Sequence, residues 1–348
     1  MAPPLQIAKR ALLQTLRLPG VTAPFNHLVR GRATIFMLHR FRNRDTGVEG
    51  HDTDQLRDTL EYLRMHRYNV VGLHELVRNL LSDDPPLDRA VVFTIDEGYQ
   101  HQATAASSVF TAFDCPVTIF VTTGFLDGDI WFWWDQIEFI LSSVEPPELT
   151  VHLADSQLTY SCATQAQRRS AAADFTSRCK HVAAADRLAG IAALAAAAAV
   201  DLPSSPPRKY APMTWDQLRN CERRGITFGP HSVTHPILAS TSDEQSRREL
   251  VQSWDRLRCE ASDPVPVFCY PNGEWGDFGE REMKTLDEMG LLGAVTAVRG
   301  YVDAAGLQRE PQGAFKIRRF GYPDSLPDVI QTVSGLERLK EILRGDGR

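Results

Sequence analysis

The chain has 348 residues, of which 43% are hydrophobic and 24% are charged, and its formal net charge at pH 7 is -6. This composition is typical of a globular protein with a large core, folded as one large domain or as two smaller ones. The mildly acidic balance implies no predominantly basic face, so nucleic acid is not expected as a partner.

Residues 1–32 have the pattern of an amphipathic basic helix followed by a linker. Apolar positions such as Ile7, Leu12 and Leu16 alternate with lysine and arginine. Such a helix either packs on the domain or attaches weakly to an anionic membrane surface through residues 5–18. The stretch lacks the compact apolar core of a signal peptide, and the chain has no run of 18 apolar residues. We therefore expect a cytoplasmic protein, with peripheral membrane contact left open.

From residue 33 to residue 348, short apolar runs alternate with helical segments. Eight runs have the length and composition of buried strands: ATIFML, NVVGL, AVVFTI, CPVTIFVTT, GITFG, VPVFCYP, LGAVTAV and AFKIRRF. One helical segment begins after Thr214, a good N-cap, and stops at Gly225. Alternating strands and helices in this number predict an α/β fold, a distorted barrel of seven or eight strand–helix units.

The segment from about 130 to 212 breaks this alternation. It begins with the aromatic stretch DIWFWWDQIEFILSS and ends with an alanine-rich helix and a proline stop. We expect a helical insertion or lid between two barrel strands. The aromatic residues 131–134 would form either a sugar platform or the packed core of the insertion.

Polar side chains follow five of the predicted strands, at the point where each strand ends. They are His39, Asp96 with Glu97, His231 with His235, Asn272, and Arg318 with Arg319. Each of these residues alone is commonly structural, as a helix cap, a turn residue or a core histidine. Because the C-terminal ends of barrel strands meet at one rim, their joint occurrence predicts a single site there.

The residue types in this set indicate metal chemistry. Two imidazoles, from His231 and His235, and one carboxylate are a usual ligand set for zinc or a similar divalent ion. The spacing in HSVTH would direct both imidazoles the same way if it formed one helical turn. One of Asp96 and Glu97 would bind the ion, and the other would take a proton from the metal-bound water. The pattern therefore predicts metal-assisted hydrolysis.

Three segments, FTIDEGY, HSVTHP and FCYPNG in this order, resemble the polysaccharide deacetylase family, which is carbohydrate esterase family 4 with the NodB homology domain. The resemblance covers residues 33–128 and 212–322. It implies a distorted β/α barrel that removes acetyl groups from sugars with one divalent metal ion, for which zinc is favoured over other ions.

The resemblance implies a role for each matching residue. Asp96 would be the general base, and Glu97 would be a metal ligand one methylene longer than usual. His231 and His235 would be the other two ligands. The backbone N–H of Asn272 would help to hold the oxyanion.

Two departures from the family pattern affect these roles. The arginine that usually precedes the proline of the YPNG segment is absent, and Arg318 or Arg319 could supply its charge beside Asp96. The usual C-terminal histidine motif is also absent, since no histidine follows His235. Some members carry the catalytic histidine on the first strand, and FMLHRF resembles that variant, which makes His39 the candidate general acid.

The expected substrate is an acetylated amino sugar or glycan, and a nucleotide-linked or lipid-linked precursor of bacterial surface polysaccharide fits best. Candidate substrate contacts are Tyr270, Pro271, Trp275, Arg318 and Arg319. Two alternatives stay open. One is a sugar-binding barrel with impaired catalysis, and the other is an amidohydrolase of the same fold that acts on a non-sugar amide.

Overall fold

The computed structural model describes residues 15–18 and 20–344. The predicted N-terminal helix therefore lies mostly outside the described residues, and Thr15–Arg17 form one short 3-10 turn. The described chain divides into two compact units. The larger unit holds the residues up to Leu126 together with those from Pro212 onward, and the smaller unit is Asp127–Ala211.

The strands are numbered in chain order within the described residues. They are β1 (Thr34–Leu38), β2 (Asn69–Val70), β3 (Ala90–Ile95), β4 (Val117–Val121), β5 (Glu148–Leu153), β6 (Ser156–Ser161), β7 (Ile226–Pro230), β8 (Val267–Cys269), β9 (Gly293–Val295) and β10 (Phe320–Gly321). Each of the eight apolar runs of the sequence overlaps a strand. The additional pair, β5 and β6, lies in the smaller unit.

The α-helices are numbered in the same way. They are α1 (Thr53–Met65), α2 (Leu73–Leu81), α3 (Ser107–Ala112), α4 (Thr123–Leu126), α5 (Trp133–Ser143), α6 (Gln165–Cys179), α7 (Ala184–Ala198), α8 (Trp215–Glu222), α9 (Asp243–Glu260), α10 (Glu280–Glu288), α11 (Ala304–Arg309), α12 (Leu326–Val333) and α13 (Leu336–Arg344). The predicted start of α8 is confirmed, because Thr214 forms a capping box with Gln217.

A parallel sheet forms the centre of the larger unit. Its strands follow the order β10-β1-β3-β4-β7, and β2 also pairs with β3. Strand β3 is buried along its whole length, as expected for a central parallel strand covered on both faces. Since Leu38 pairs with Ile95 and Ile95 pairs with Ile119, the C-terminal ends of these strands meet at one edge.

The predicted α/β fold with a parallel sheet is present, but the predicted closed barrel is not confirmed. Strands β8 and β9 form a separate parallel pair. A single backbone hydrogen bond, from Val265 N to Phe228 O, joins this pair to β7, and an isolated bridge joins Val295 to Ile317. Because β8, β9 and β10 have only two or three residues each, the ladder among the described residues stays open at these two points. Every helix in the described part is too short or too polar to span a bilayer.

The smaller unit has a core of its own. Strands β5 and β6 form an antiparallel hairpin, and β5 alternates exposed and buried residues, as a strand with one covered face does. Helices α5, α6 and α7 pack with the hairpin around Phe175 and Leu194. In the aromatic stretch, the ring of Phe132 is buried and stacks on Trp134 with the ring centroids 4.4 Å apart. A role for this unit as a lid stays a prediction.

Candidate active site

Three of the predicted site residues meet at the C-terminal edge of the parallel sheet. His39 follows β1, and Asp96 and Glu97 follow β3. The Nε2 atom of His39 lies 3.9 Å from Asp96 Oδ2 and 3.9 Å from Glu97 Oε1. The side chain of His39 is 41% exposed, whereas those of Asp96 and Glu97 are 4% and 12% exposed. The site therefore has one partly exposed imidazole next to two largely buried carboxylates.

Asp96 is held by a buried arginine. Nη1 and Nη2 of Arg319 donate to Oδ1 and Oδ2 of Asp96, both at 2.8 Å. Burial alone would raise the pKa of Asp96, but the charge and hydrogen bonds of Arg319 outweigh it and hold that pKa well below the usual carboxyl range. Asp96 is therefore ionised at neutral pH.

The remaining N–H groups of Arg319 are also satisfied. Nη1 donates to Thr94 Oγ1, Nε donates to Thr296 O, and Nη2 contacts Cys269 Sγ at 3.2 Å. All five N–H donors of the guanidinium are thus used within the protein. The prediction that Arg319 contacts substrate is wrong, because its side chain is 1% exposed. Arg319 instead supplies a positive charge beside Asp96, which was its other predicted role.

Glu97 lies at a sharp turn of the backbone. Its φ is 90°, in the left-handed region that costs a non-glycine residue about 1–3 kcal/mol. Gly98 follows with a φ of 96°, and a Cβ there would come within 2.7 Å of Leu126. Two consecutive residues with positive φ turn the chain away from the line of β3, so the carboxylates of Asp96 and Glu97 do not simply alternate as they would along a strand.

Gln102 fixes this turn and was missed in the sequence analysis. Its Nε2 donates to the carbonyls of His39 at 2.8 Å and Asp96 at 2.6 Å, and its Oε1 accepts from the N–H groups of Gly98 and Tyr99, both at 3.1 Å. The side chain is fully buried, with both donors and both acceptor positions used. Gln102 begins a short π-helical segment that ends at Ala106, an irregularity often found at functional sites.

The two predicted histidine ligands lie beside each other in the described structure. Their ring centroids are 4.8 Å apart, and both side chains are buried. His231 Nδ1 donates to Cys269 O at 2.7 Å, which fixes the tautomer with the Nε2 lone pair available to a ligand. Burial lowers the pKa of His231 to about 4, only partly opposed by Asp96, and also lowers that of His235. Both imidazoles are thus neutral, the form that binds metal ions.

The segment from His231 to His235 is a loop and not the helical turn suggested by its spacing. Ser232 has a φ of 61° and His235 a φ of 57°. Buried Glu249, on α9, explains the loop, since its Oε2 accepts from the N–H groups of Val233 and Thr234, both at 2.8 Å. These contacts bind the backbone donors of the loop to a side chain 15 and 16 positions further along the chain, which the local spacing of the histidines does not predict.

One group of side chains in the described structure lies close enough together to hold a divalent ion, and it differs from the predicted set of Glu97, His231 and His235. Asp96 Oδ, His231 N and Cys269 Sγ lie within 4.8 Å of one another, the only such group of three potential ligands in the described part of the chain. This set suits a cation poorly, because Arg319 contacts both Asp96 and Cys269, and burial raises the pKa of the Cys269 thiol well above its usual value. The predicted set with Glu97 and His235 offers a carboxylate that Arg319 does not hold, and its donor types fit zinc.

The YPNG segment only partly matches its predicted roles. Asn272 has a φ of 56°, and its N–H donates to no acceptor within the described residues. Tyr270 and Pro271, predicted to contact substrate, are buried, and the Tyr270 ring stacks on Phe278 with the centroids 3.9 Å apart. Tyr270 is therefore a core residue, whereas Asn272 can still offer its N–H to a ligand.

Trp275 and Arg318, the other predicted substrate contacts, are accessible. Trp275 is 47% exposed, and the guanidinium carbon of Arg318 lies 5.6 Å from the centre of a Trp275 ring. Arg318 is partly exposed and lies 3.9 Å from Glu310. The pair forms an exposed aromatic and cationic surface. Trp275 lies shortly after the YPNG segment in sequence, whereas Arg318 comes from the segment before β10.

Comparisons with known proteins agree with this description. Residues 203–290 match the family model of the polysaccharide deacetylases. The deacetylase PplD of Streptococcus pyogenes has a similar fold, with a TM-score of 0.57 and 16% identity over 87% of this chain and 99% of that chain. IcaB from Ammonifex degensii is also similar, with a TM-score of 0.51 and 13% identity over 87% and 97% of the two chains. A search of curated protein sequences finds no match.

The matched segment contains His231, His235 and the YPNG turn, three of the features on which the resemblance was based. The likeness to the two solved structures concerns the fold. The family match supports the predicted enzyme class, a hydrolase that deacetylates polysaccharides. The resemblance to the polysaccharide deacetylases is therefore confirmed through the match of residues 203–290, whereas the variant with the catalytic histidine near the N-terminus stays a prediction.

Proposed function

We propose that the chain is a metal-dependent hydrolase that removes the acetyl group from an N-acetylated sugar of bacterial surface polysaccharide synthesis. The observation that carries the proposal is the contact of His39 with Asp96 and Glu97 at the sheet edge. In the same place, Asp96 forms an ion pair with Arg319. A general base, a candidate general acid and a second carboxylate that could bind a metal ion, all at one point, suit metal-assisted amide hydrolysis.

Glu97, His231 and His235 would hold one divalent ion, with zinc favoured by the two imidazoles and one carboxylate. When bound, the ion would acidify a water molecule and polarise the acetyl carbonyl. This assignment leaves Asp96 free of the metal and paired with Arg319.

The protein side chains would divide the proton transfers between them. Asp96, kept ionised by Arg319, accepts a proton from the water that attacks the acetyl carbon. The N–H of Asn272 donates to the oxyanion, an interaction worth about 3–4 kcal/mol in the transition state. His39, the exposed imidazole, gives its proton to the departing sugar nitrogen. The C–N bond breaks, and the products are acetate and the free amine.

Asp96 paired in this way is a weak base, since its pKa is far below neutral pH. A weak base is effective only towards a strongly acidified proton donor. The low pKa of Asp96 therefore supports the metal-dependent form of the proposal over hydrolysis by two carboxylates alone.

The test is acetate release from N-acetylglucosamine oligomers, a nucleotide-linked acetamido sugar and a lipid-linked one, before and after metal removal. Asp96→Asn and His39→Gln should each lower kcat by about 10²–10⁴-fold, the usual contribution of a general acid or base. His152→Gln, on the exposed face of β5, is the matched control and should leave kcat unchanged.

Near-full activity of Asp96→Asn would refute the assignment of the base. If the metal-loaded wild-type protein released no acetate but bound the oligomers, the sugar-binding alternative would replace the proposal. If it instead hydrolysed non-sugar amides in a parallel panel, the amidohydrolase alternative would replace it.

A further inference from the structure

The C-terminal helix α13 ends with apolar side chains that face solvent. Ile342 is 47% exposed and Leu343 is 77% exposed. Helix α13 packs against the 3-10 helix Ala23–Val29, and the segment just before that helix exposes Leu18 and Val21 by 57% and 37%. Ile342 and Leu343, here called the terminal apolar face, are two of the eight large apolar side chains that are exposed in the described chain.

A cavity of about 560 Å³ that α13 helps to line is rich in positive charge. Seven arginine or lysine side chains and four carboxylates line it, a surplus of three cations in a protein of net charge -6. Arg32, Arg299 and Arg338 pair with acidic residues at distances of 2.7–3.1 Å. Lys316 and Arg344 form no ion pair within the described residues, so they supply much of the surplus.

Helix α13 connects this positive surface to the terminal apolar face. Arg344 lines the cavity and directly follows Ile342 and Leu343. A second cavity, of about 480 Å³, is lined by Glu337, Lys340 and Arg344 from the same helix, and Lys340 pairs with Glu337 at 3.1 Å. The last turn of α13 thus places two exposed apolar side chains next to the cation of Arg344.

We propose that the terminal apolar face and the adjacent cation-lined cavities dock on an anionic phospholipid surface. Apolar side chains of an amphipathic helix enter the boundary between headgroups and acyl chains, and neighbouring cations attract anionic headgroup phosphates. A soluble anion would account for the cations but not for Ile342 and Leu343. A protein partner would account for the apolar side chains but not specifically for the surplus of positive charge. The proposal is independent of the deacetylase assignment.

Sedimentation of the full chain with vesicles tests this docking surface. Binding is expected with vesicles of phosphatidylcholine and phosphatidylglycerol and not with phosphatidylcholine alone, and it should weaken as salt rises. Leu343→Ser should lower the partition coefficient on the order of tenfold, and Lys316→Glu by at least about fivefold. Leu188→Ser and Lys284→Glu, at exposed positions 63% and 75% accessible, are the matched controls.

Equal binding of the controls and of Leu343→Ser and Lys316→Glu would overturn the proposal, as would equal binding to neutral vesicles. Absence of binding to either vesicle would do the same. If Leu343→Ser lowered the unfolding midpoint without changing lipid binding, the apolar face would be packed within the protein. If the wild-type protein eluted as a dimer in size-exclusion chromatography and Leu343→Ser eluted as a monomer, the terminal apolar face would bind a second copy of this chain. Since acetate release from a soluble substrate is measured separately, failure here leaves the proposed function standing.

Discussion

Arg319 and Asp96 form a bidentate ion pair in which both carboxylate oxygens accept from the guanidinium at 2.8 Å, with neither side chain more than 4% exposed. The two residues are 223 positions apart in sequence. A pair of this kind ties the end of β3 to the residue just before β10, on either side of β1. It sets both the charge and the orientation of the candidate base.

Removing one partner of this pair should destabilise the fold. Arg319→Leu leaves the Asp96 carboxylate buried and uncompensated, and we expect a loss of about 3–5 kcal/mol in the free energy of unfolding. Urea denaturation measures it. The matched control is Arg247→Leu, which removes an exposed pair with Glu288 and should cost about 0–1 kcal/mol. Similar losses of unfolding free energy in the two variants would show that the buried pair contributes no more to stability than an exposed pair.

Glu97→Gln and Cys269→Ser distinguish the two candidate metal sets. If Glu97 is a ligand, Glu97→Gln should weaken metal binding by more than about 100-fold. A residue that only hydrogen-bonds to a ligand changes metal affinity by at most about 100-fold. Cys269→Ser should leave the affinity unchanged, because the Cys269 thiol is protonated and contacts Arg319. Metal content after dialysis and titration with zinc give the affinities. The opposite pattern would assign the ion to Asp96, His231 and Cys269.

Gln102→Leu should impair the site through the backbone. It leaves the carbonyls of His39 and Asp96 and two N–H groups without their buried partner, a loss on the order of 3 kcal/mol in stability. Because Gln102 positions the site residues and does not contact substrate, kcat should fall more than KM changes. Gln252→Leu, on the exposed side of α9, is the control. A loss of stability with an unchanged kcat per folded molecule would restrict Gln102 to a structural role.

His101 makes the stability depend on pH. Burial, and secondarily Arg40, lowers its pKa in the folded protein to about 3, against an unfolded value of 6.5. The unfolded chain therefore binds more protons between these values, so stability is lost as pH falls from ~6.5 towards 3. His101→Gln should flatten this part of the curve of urea midpoint against pH. His181→Gln, at an exposed position, is the control for loss of an imidazole. An unchanged slope in His101→Gln would contradict the prediction.

The sequence predicts the strand ends well because each one carries its own signal. An apolar run followed by His39 or Asp96 marks both a buried strand and a polar side chain at its end, and parallel pairing then brings the two together. The same reasoning could not choose between Arg318 and Arg319. Arg318 is partly exposed beside Trp275, whereas Arg319 is buried against Asp96, and only the packing of the sheet decides which one reaches Asp96.

Gln102 and Glu249 could not be found from local patterns. Each acts by binding backbone N–H or C=O groups of other segments, and a glutamine or glutamate inside a helical segment carries no sign of that. The absence of a closed sheet among the described residues has a similar cause. The strands β8, β9 and β10 read as full strands in sequence, but only two or three residues of each pair, because pairing depends on where the neighbouring backbone lies.

The turn after Glu97 also has a consequence for the segment between Leu126 and Pro212. Both points at which the chain leaves and re-enters the larger unit lie against this turn. Leu126 lies close to Gly98, Pro212 bridges Tyr99, and Met213 N donates to Gly98 O at 2.9 Å. The two junctions are thus close together in space. A segment with such junctions can be lengthened, shortened or exchanged without moving the strands that it interrupts.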